Sequence, residues 1–215
     1  MQFFTDNFPL LRDAFLTTLG LSLLAGLLAL VLGTVLAAMR VSPIPPLRGL
    51  ATFYVETFRN TPLTVVFFFI IFGLPQIDFV VSFFVGAVVS VGMYTAAFVA
   101  EALRSGINAV GPGQAEAARA IGLTFGQSLR EIVLPQAFRT VVPPLGNVWI
   151  AMVKNTSIAA GFATTELAAT LPRLANANAG DILLILLAVV VGYMLITVPS
   201  AYGIHRIERR VAILR

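Results

Sequence analysis

Apolar residues come in long runs along this chain, with ionisable residues only at the ends of each run. Residues 14–39 lie between Asp13 and Arg40, residues 79–100 between Asp78 and Glu101, and residues 182–204 between Asp181 and His205. At about 1.5 Å per residue, each run is long enough to cross a hydrocarbon core of about 30 Å as a helix. Residues 60–77 form a fourth run, which reaches that length if the span begins near Leu50. A fifth, over 141–165, is interrupted by Lys154. The pattern predicts an all-α integral membrane protein with five transmembrane helices, near 14–39, 50–73, 79–104, 141–165 and 182–204, in one domain over 1–215. Core helices of a water-soluble protein are the alternative, but runs this long recur too often for it. The first run follows Asp6, Arg12 and Asp13 rather than a basic cluster, and it is longer than a cleaved leader needs, so a retained first helix is expected.

Five crossings put the termini on opposite sides, and basic residues mark the inner side. With the N-terminus outside, the inner segments hold Arg40, Arg48, Arg104, Arg119, Arg130, Arg139, Arg206, Arg209, Arg210 and Arg215, and the outer segments hold only Arg12 and Arg173. The chain is therefore expected to run N-out, C-in. Between the third and fourth spans lies an inner segment, 105–140, far longer than a turn requires. Gly111, Pro112 and Gly113 punctuate it, and residues 114–121 read as a short helix with Gly122 as the residue that ends it. Phe125, Leu129 and Ile132 then share a helical face, and Pro135 is expected to end or kink that second helix. Two short helices here make either a compact cytoplasmic knob or an amphipathic hairpin lying on lipid.

Composition strengthens the membrane reading and narrows the chemistry. Hydrophobic residues make up 58% and charged residues 11%, against roughly 25% charged in soluble domains. Fourteen basic against ten acidic residues give no case for nucleic acid, and the absence of cysteine excludes disulfides, thiolate metal sites and a cysteine nucleophile. No metal site is expected, since His205 is the only histidine. The only lysine, Lys154, follows Val153, so no phosphate-binding Gly-Lys pair exists and the chain is not expected to hydrolyse ATP. No nucleophile–base pair is found either, which argues against a membrane enzyme.

Ionisable groups within the bilayer are costly and point to function. Arg59 falls roughly nine residues, about 13 Å, into the second expected span, and Lys154 falls midway in the fourth. Arg59, Thr61, Pro62, Lys154, Asn155, Thr156, Ser157 and Glu166 together have the makings of an amino-acid pathway: cations and hydrogen bonds for carboxylates, and Glu166 as acceptor for an ammonium. The structural alternatives are that Arg59 pairs with Glu56, and that Lys154 snorkels or pairs with Glu101. Phe67, Phe68 and Phe69 are expected to face lipid and core. His205, Arg206, Arg209 and Arg210 are expected to anchor the last helix to anionic lipid.

The inner segment also carries a family resemblance. Glu116-Ala117-Ala118, then Gly122 after three residues, then Ile132-Val133-Leu134-Pro135 after nine, resembles the EAA motif of bacterial ABC importer permeases. Arg59-Asn60-Thr61-Pro62-Leu63, Phe72-Gly73-Leu74-Pro75 and Lys154-Asn155-Thr156-Ser157 are similar to segments of the polar-amino-acid branch, and Met39-Arg40-Val41-Ser42-Pro43 to the shorter permease of glutamate importers. The family commonly has Asp after the lysine of the last segment, where this chain has Asn155. The resemblance implies the type I importer fold in a bacterial cytoplasmic membrane. It implies that Glu116, Ala117, Ala118, Gly122, Ile132, Leu134 and Pro135 form the coupling surface for a cytoplasmic ATPase. ATP and Mg would then be bound by two partner ATPase subunits, with no cofactor on this chain. A second permease, either a longer relative or a second copy, and an extracytoplasmic amino-acid-binding protein complete the implied partners, with glutamate as substrate. An ion-gradient-driven secondary transporter or channel is the rival. That class commonly shows internal repeats, and none is visible here.

Overall fold

The computed structural model describes residues 2–177 and 179–211; Arg215, counted above among the inner arginines, lies outside them. Every regular element among the described residues is helical. The long helices are α1 (Gln2–Val41), α4 (Phe83–Asn108), α7 (Leu134–Asn155) and α9 (Ile182–Val211). The shorter ones are α2 (Pro45–Asn60), α3 (Leu63–Phe68), α5 (Pro112–Ala120), α6 (Phe125–Gln127) and α8 (Thr170–Ala177).

Helices α1 and α4 form the centre. Small residues let their backbones approach closely, as apolar surroundings favour. A Cβ at Gly33 of α1 would come within 2.6 Å of Val99 of α4, and one at Gly92 of α4 within 2.6 Å of Leu28 of α1. Phe67 of α3 is fully buried beside this pair and stacks on Phe162 at 4.8 Å between ring centres. Phe68 and Phe69 are exposed. The position of α9 is peripheral: 22% of its most apolar stretch is buried, against 56% for α4.

Among the described residues, three helices are long and apolar enough to cross a membrane: Phe3–Val41, Phe83–Asn108 and Ile182–Arg210. They contain most of the first, third and fifth expected spans, extended at one end or both. The second expected span, 50–73, is not one helix. Pro45–Asn60 and Leu63–Ile77 meet at 106°. Proline explains the break. Pro62 has no N–H to give a helix and forces the residue before it out of helical conformation, and Thr61 sits at φ −104, ψ 133. Beyond the break, α3 continues through a π-turn at Phe69–Gly73 and a 3-10 turn at Leu74–Ile77.

The fourth expected span, 141–165, is also displaced. The 22 residues of α7 begin at Leu134 and end at Asn155, followed by 3-10 structure over Thr156–Phe162. The helix is about 33 Å long by its rise, but it carries Gln136, Arg139, Asn147 and Lys154 and is less apolar than the other three. Its end is set by hydroxyls that turn back on the backbone: Thr156 Oγ1 donates to the Val153 carbonyl at 2.7 Å and Ser157 Oγ to that of Lys154 at 2.8 Å.

Candidate functional site

The knob between α4 and α7 is built by local chemistry. Gly111 precedes Pro112, which starts α5 at a position where its missing N–H is not needed. At the other end Gly122 adopts φ +90. Its N–H donates to the Arg119 carbonyl at 3.0 Å, and the next N–H, of Leu123, donates to that of Ala118 at 3.1 Å. That crossed pair is the Schellman termination, as the sequence predicts. A Cβ at Gly122 would meet nothing within 4 Å, so glycine is required there by backbone conformation and not by space.

A reciprocal cap follows. Gln127 Oε1 accepts from the Thr124 N–H at 2.9 Å, and the Gln127 N–H donates to Thr124 Oγ1 at 3.3 Å. Helix α6 starts from this cap and runs through a π-turn at Ser128–Val133 straight into α7. The second helix of the segment is thus not a separate element, and Pro135 does not end it. Pro135 lies in the first turn of α7, just past the wide π-turn, where a proline costs little. Ala118 and Ser128 are buried where α5 meets that turn, while Glu116, Ala117, Gly122, Leu134 and Pro135 are exposed and Ile132 is half-buried. Ile121, at the tip, is 79% exposed. The Glu116 carboxylate has no hydrogen bond or ion pair among the described residues.

The polar residues of the bundle are arranged differently. Glu101 of α4 is the hub of an ion-pair node. Its Oε2 takes Arg40 Nη1 at 2.5 Å and Arg59 Nη1 at 3.3 Å, and its Oε1 takes Arg104 Nη2 at 2.5 Å. The node ties the ends of α1 and α2 to α4. Arg40 and Arg59 lie in the last turns of α1 and α2, and Arg104 one turn before the end of α4, so Arg59 stands among helix ends, where the sequence suggests a place about 13 Å into a span. Its expected alternative partner, Glu56, instead accepts a hydrogen bond from Asn60 Nδ2 at 3.4 Å. The node cannot take Lys154 as well: Lys154 is exposed in the last turn of α7, with no ion pair among the described residues.

Glu166 is completely buried and its carboxylate is engaged by its own chain. It accepts from the Tyr193 hydroxyl, from the Ala169 N–H at 3.0 Å and from Thr18 Oγ1 at 3.4 Å, while Thr18 Oγ1 in turn accepts the Leu167 N–H at 3.0 Å. Thr61 donates to the Thr57 carbonyl at 2.7 Å. The sequence-named polar residues therefore fall into separate groups. Arg59, Thr61 and Pro62 sit at the α2–α3 break, Lys154 to Ser157 at the end of α7, and Glu166 in the α1–α9 contact. Reading the sequence misses Glu101, Arg40 and Arg104 as a node and Tyr193 as the partner of Glu166. Arg104 stands at the local i,i+3 spacing from Glu101, but the other partners are far apart in sequence, and no local spacing announces them.

Residues 29–213 match the family described as the binding-protein-dependent transport system inner membrane component. The chain belongs to that family. This inner membrane component is 42% identical to the glutamate transport system permease protein GluC of Corynebacterium glutamicum, over 97% of this chain and 96% of that one. It is 38% identical to the probable glutamine ABC transporter permease protein GlnM of Bacillus subtilis, over 95% of this chain and 94% of the relative. Its fold matches a chain of an amino acid ABC transporter solved with histidines, at TM-score 0.88 and 30% identity over 96% of both chains. The methionine ABC transporter MetNI, in inward-facing form, shares the fold at TM-score 0.72 and 21% identity, over 95% of this chain and 97% of that one. The family is one of transport permeases, and the knob stands where its motif is read in the sequence.

Proposed function

We propose that this permease is the membrane subunit of an ATP-driven importer for a polar amino acid, with glutamate as its substrate. The observation that carries the reading is the exposed knob, with Glu116 unpaired and Ile121 bare at its tip. Two cytoplasmic ATPase subunits dock there and supply ATP and Mg. A second permease, a longer relative or a second copy, completes the pathway, and an extracytoplasmic binding protein delivers the amino acid. The relatives named for glutamate and glutamine transport support the substrate class.

In this reading the chain crosses five times, N-out and C-in, with α7 as the fourth crossing and the bent α2–α3 pair as the second. The ten-to-two distribution of arginines supports the orientation. Among the candidate pathway residues Lys154 is the one whose charge is uncommitted, so it is the group that meets a substrate carboxylate, with Asn155 and Ser157 beside it. Uptake of glutamate into vesicles holding the complex tests the proposal. It should require ATP on the knob side and survive an uncoupler. Uptake that collapses with the ion gradient and ignores ATP would favour a secondary transporter.

A further inference from the structure

A large groove lies on the membrane face of the molecule, between α1, α4, α7 and α9, with a volume near 460 Å³. Its walls are almost wholly apolar, with Gly26, Trp149 and Gly203 among them. Of its two polar side chains, Thr95 and Ser200, the serine is turned to its own helix, donating to the Ile196 carbonyl at 2.7 Å. A polar amino acid finds nothing to bind there.

No basic residue lines the groove itself, but helical register brings two arginines just beyond it. Gly146 of α7 packs so tightly on Ile204 of α9 that a Cβ there has no room. The two helices run in opposite directions. Seven residues from Gly146 toward the start of α7 is Arg139, and seven from Ile204 toward the end of α9 is Val211, next to Arg210. The two arginines are therefore level. Each also continues the groove-lining stripe of its own helix. Arg139 is three residues before Val142 and seven before Gly146; Arg210 is three after Ile207 and seven after Gly203. Both are exposed, and neither guanidinium has an ion pair or hydrogen bond among the described residues. Arg206 stacks over Tyr202 at 4.9 Å, and the nearby acid, Glu208, lies 3.3 Å from His205 Nδ1.

An apolar slot capped by two level, uncommitted cations matches one kind of molecule. We infer that this groove is a binding site for an anionic phospholipid, with an acyl chain between the four helices and the phosphate held by Arg139 and Arg210. Basic pockets between helices at the cytoplasmic leaflet are suited to such headgroups. With the permease oriented C-in, the lipid belongs to that leaflet, whichever amino acid is carried.

The chain supplies its own reporter, because Trp149 on the groove wall is its only tryptophan. The full chain is reconstituted in phosphatidylcholine vesicles containing increasing fractions of phosphatidylglycerol brominated on its acyl chains, or of brominated phosphatidylcholine. Brominated phosphatidylglycerol should quench Trp149 at lower mole fraction, by about fivefold for each arginine that holds the phosphate. Arg139→Gln with Arg210→Gln should abolish the preference and leave quenching by brominated phosphatidylcholine intact. Arg209→Gln, off the stripe, should leave the preference unchanged. Gly203→Leu, at a position with open space around its Cβ, should fill the groove and weaken quenching by both lipids. Equal quenching by the two lipids would overturn the inference, since the groove would then be bathed in bulk lipid. Absence of quenching by either would overturn it too, since protein, such as a second copy, would cover the tryptophan.

Discussion

The knob and the Glu101 node both concentrate charge near the same helix ends, yet they are finished in opposite ways. In the knob, the backbone is satisfied by local motifs and the side chains face outward uncommitted. In the node, four charged side chains from three helices turn toward one another, and a single carboxylate holds three guanidiniums. An outward-facing, locally capped element can be presented to a partner without disturbing the bundle. An inward-facing node fixes how α1, α2 and α4 meet, and its removal is felt by the whole chain. In the proposed function the first transmits force, and the second resists it.

The contrast can be broken most severely at Glu101. Glu101→Gln leaves Arg40, Arg59 and Arg104 without a counter-charge. It should lower stability by about 3 kcal/mol, as for a partly buried pair that loses one partner, and thermal unfolding of the purified permease measures it. If stability is unchanged, the node does not hold the helices together. Gly122→Val should act the other way round. A β-branched residue at positive φ costs about 1–3 kcal/mol locally, so the Schellman turn gives way while the bundle, measured by the same melt, stays near the parent. Substrate-stimulated ATPase of the complex should be lost; normal activity would separate the knob from coupling. Lys154→Met sharpens the division further. With no partner to lose, it should leave the melt unaltered, yet lower transport roughly ten- to a hundredfold through a missing charge-assisted hydrogen bond. Arg59→Met should lower stability far less than Glu101→Gln, by about 0.5–1 kcal/mol, because Arg59 is the longest and most exposed arm of the node. A transport loss for Arg59→Met as large as that for Lys154→Met would place Arg59 on the pathway instead.

The same contrast explains what the sequence reveals. Gly122 and the Glu116-to-Pro135 spacing are legible because a Schellman turn and its cap are short-range chemistry. The three most apolar helices are legible because lipid demands their composition. The α2–α3 break is legible only in part. Pro62 announces it, and Leu47, Leu50, Ala51, Tyr54, Val55 and Phe58 recur at helical spacing opposite Arg48, Thr52 and Glu56, which marks an amphipathic helix rather than a simple span. The apolar run that follows conceals this when it is read by hydropathy alone. The node and the Tyr193–Glu166 bond are not legible. Arg40 and Glu101 are 61 residues apart, and any of several arginines could have met that acid.

The knob is proposed to seat in an ATPase, and the absence of cysteine from the chain allows this to be tested with a single thiol. Ile121→Cys, at the exposed tip, is labelled with a thiol-reactive photocrosslinker and irradiated in membranes containing the assembled complex, with Ile77→Cys, 71% exposed at the other end of the bundle, as the control. The account predicts a cross-linked product between this chain and the ATPase subunit from position 121 and none from position 77. A cysteine at 121 that reacts with a water-soluble maleimide yet never links to the ATPase would contradict it.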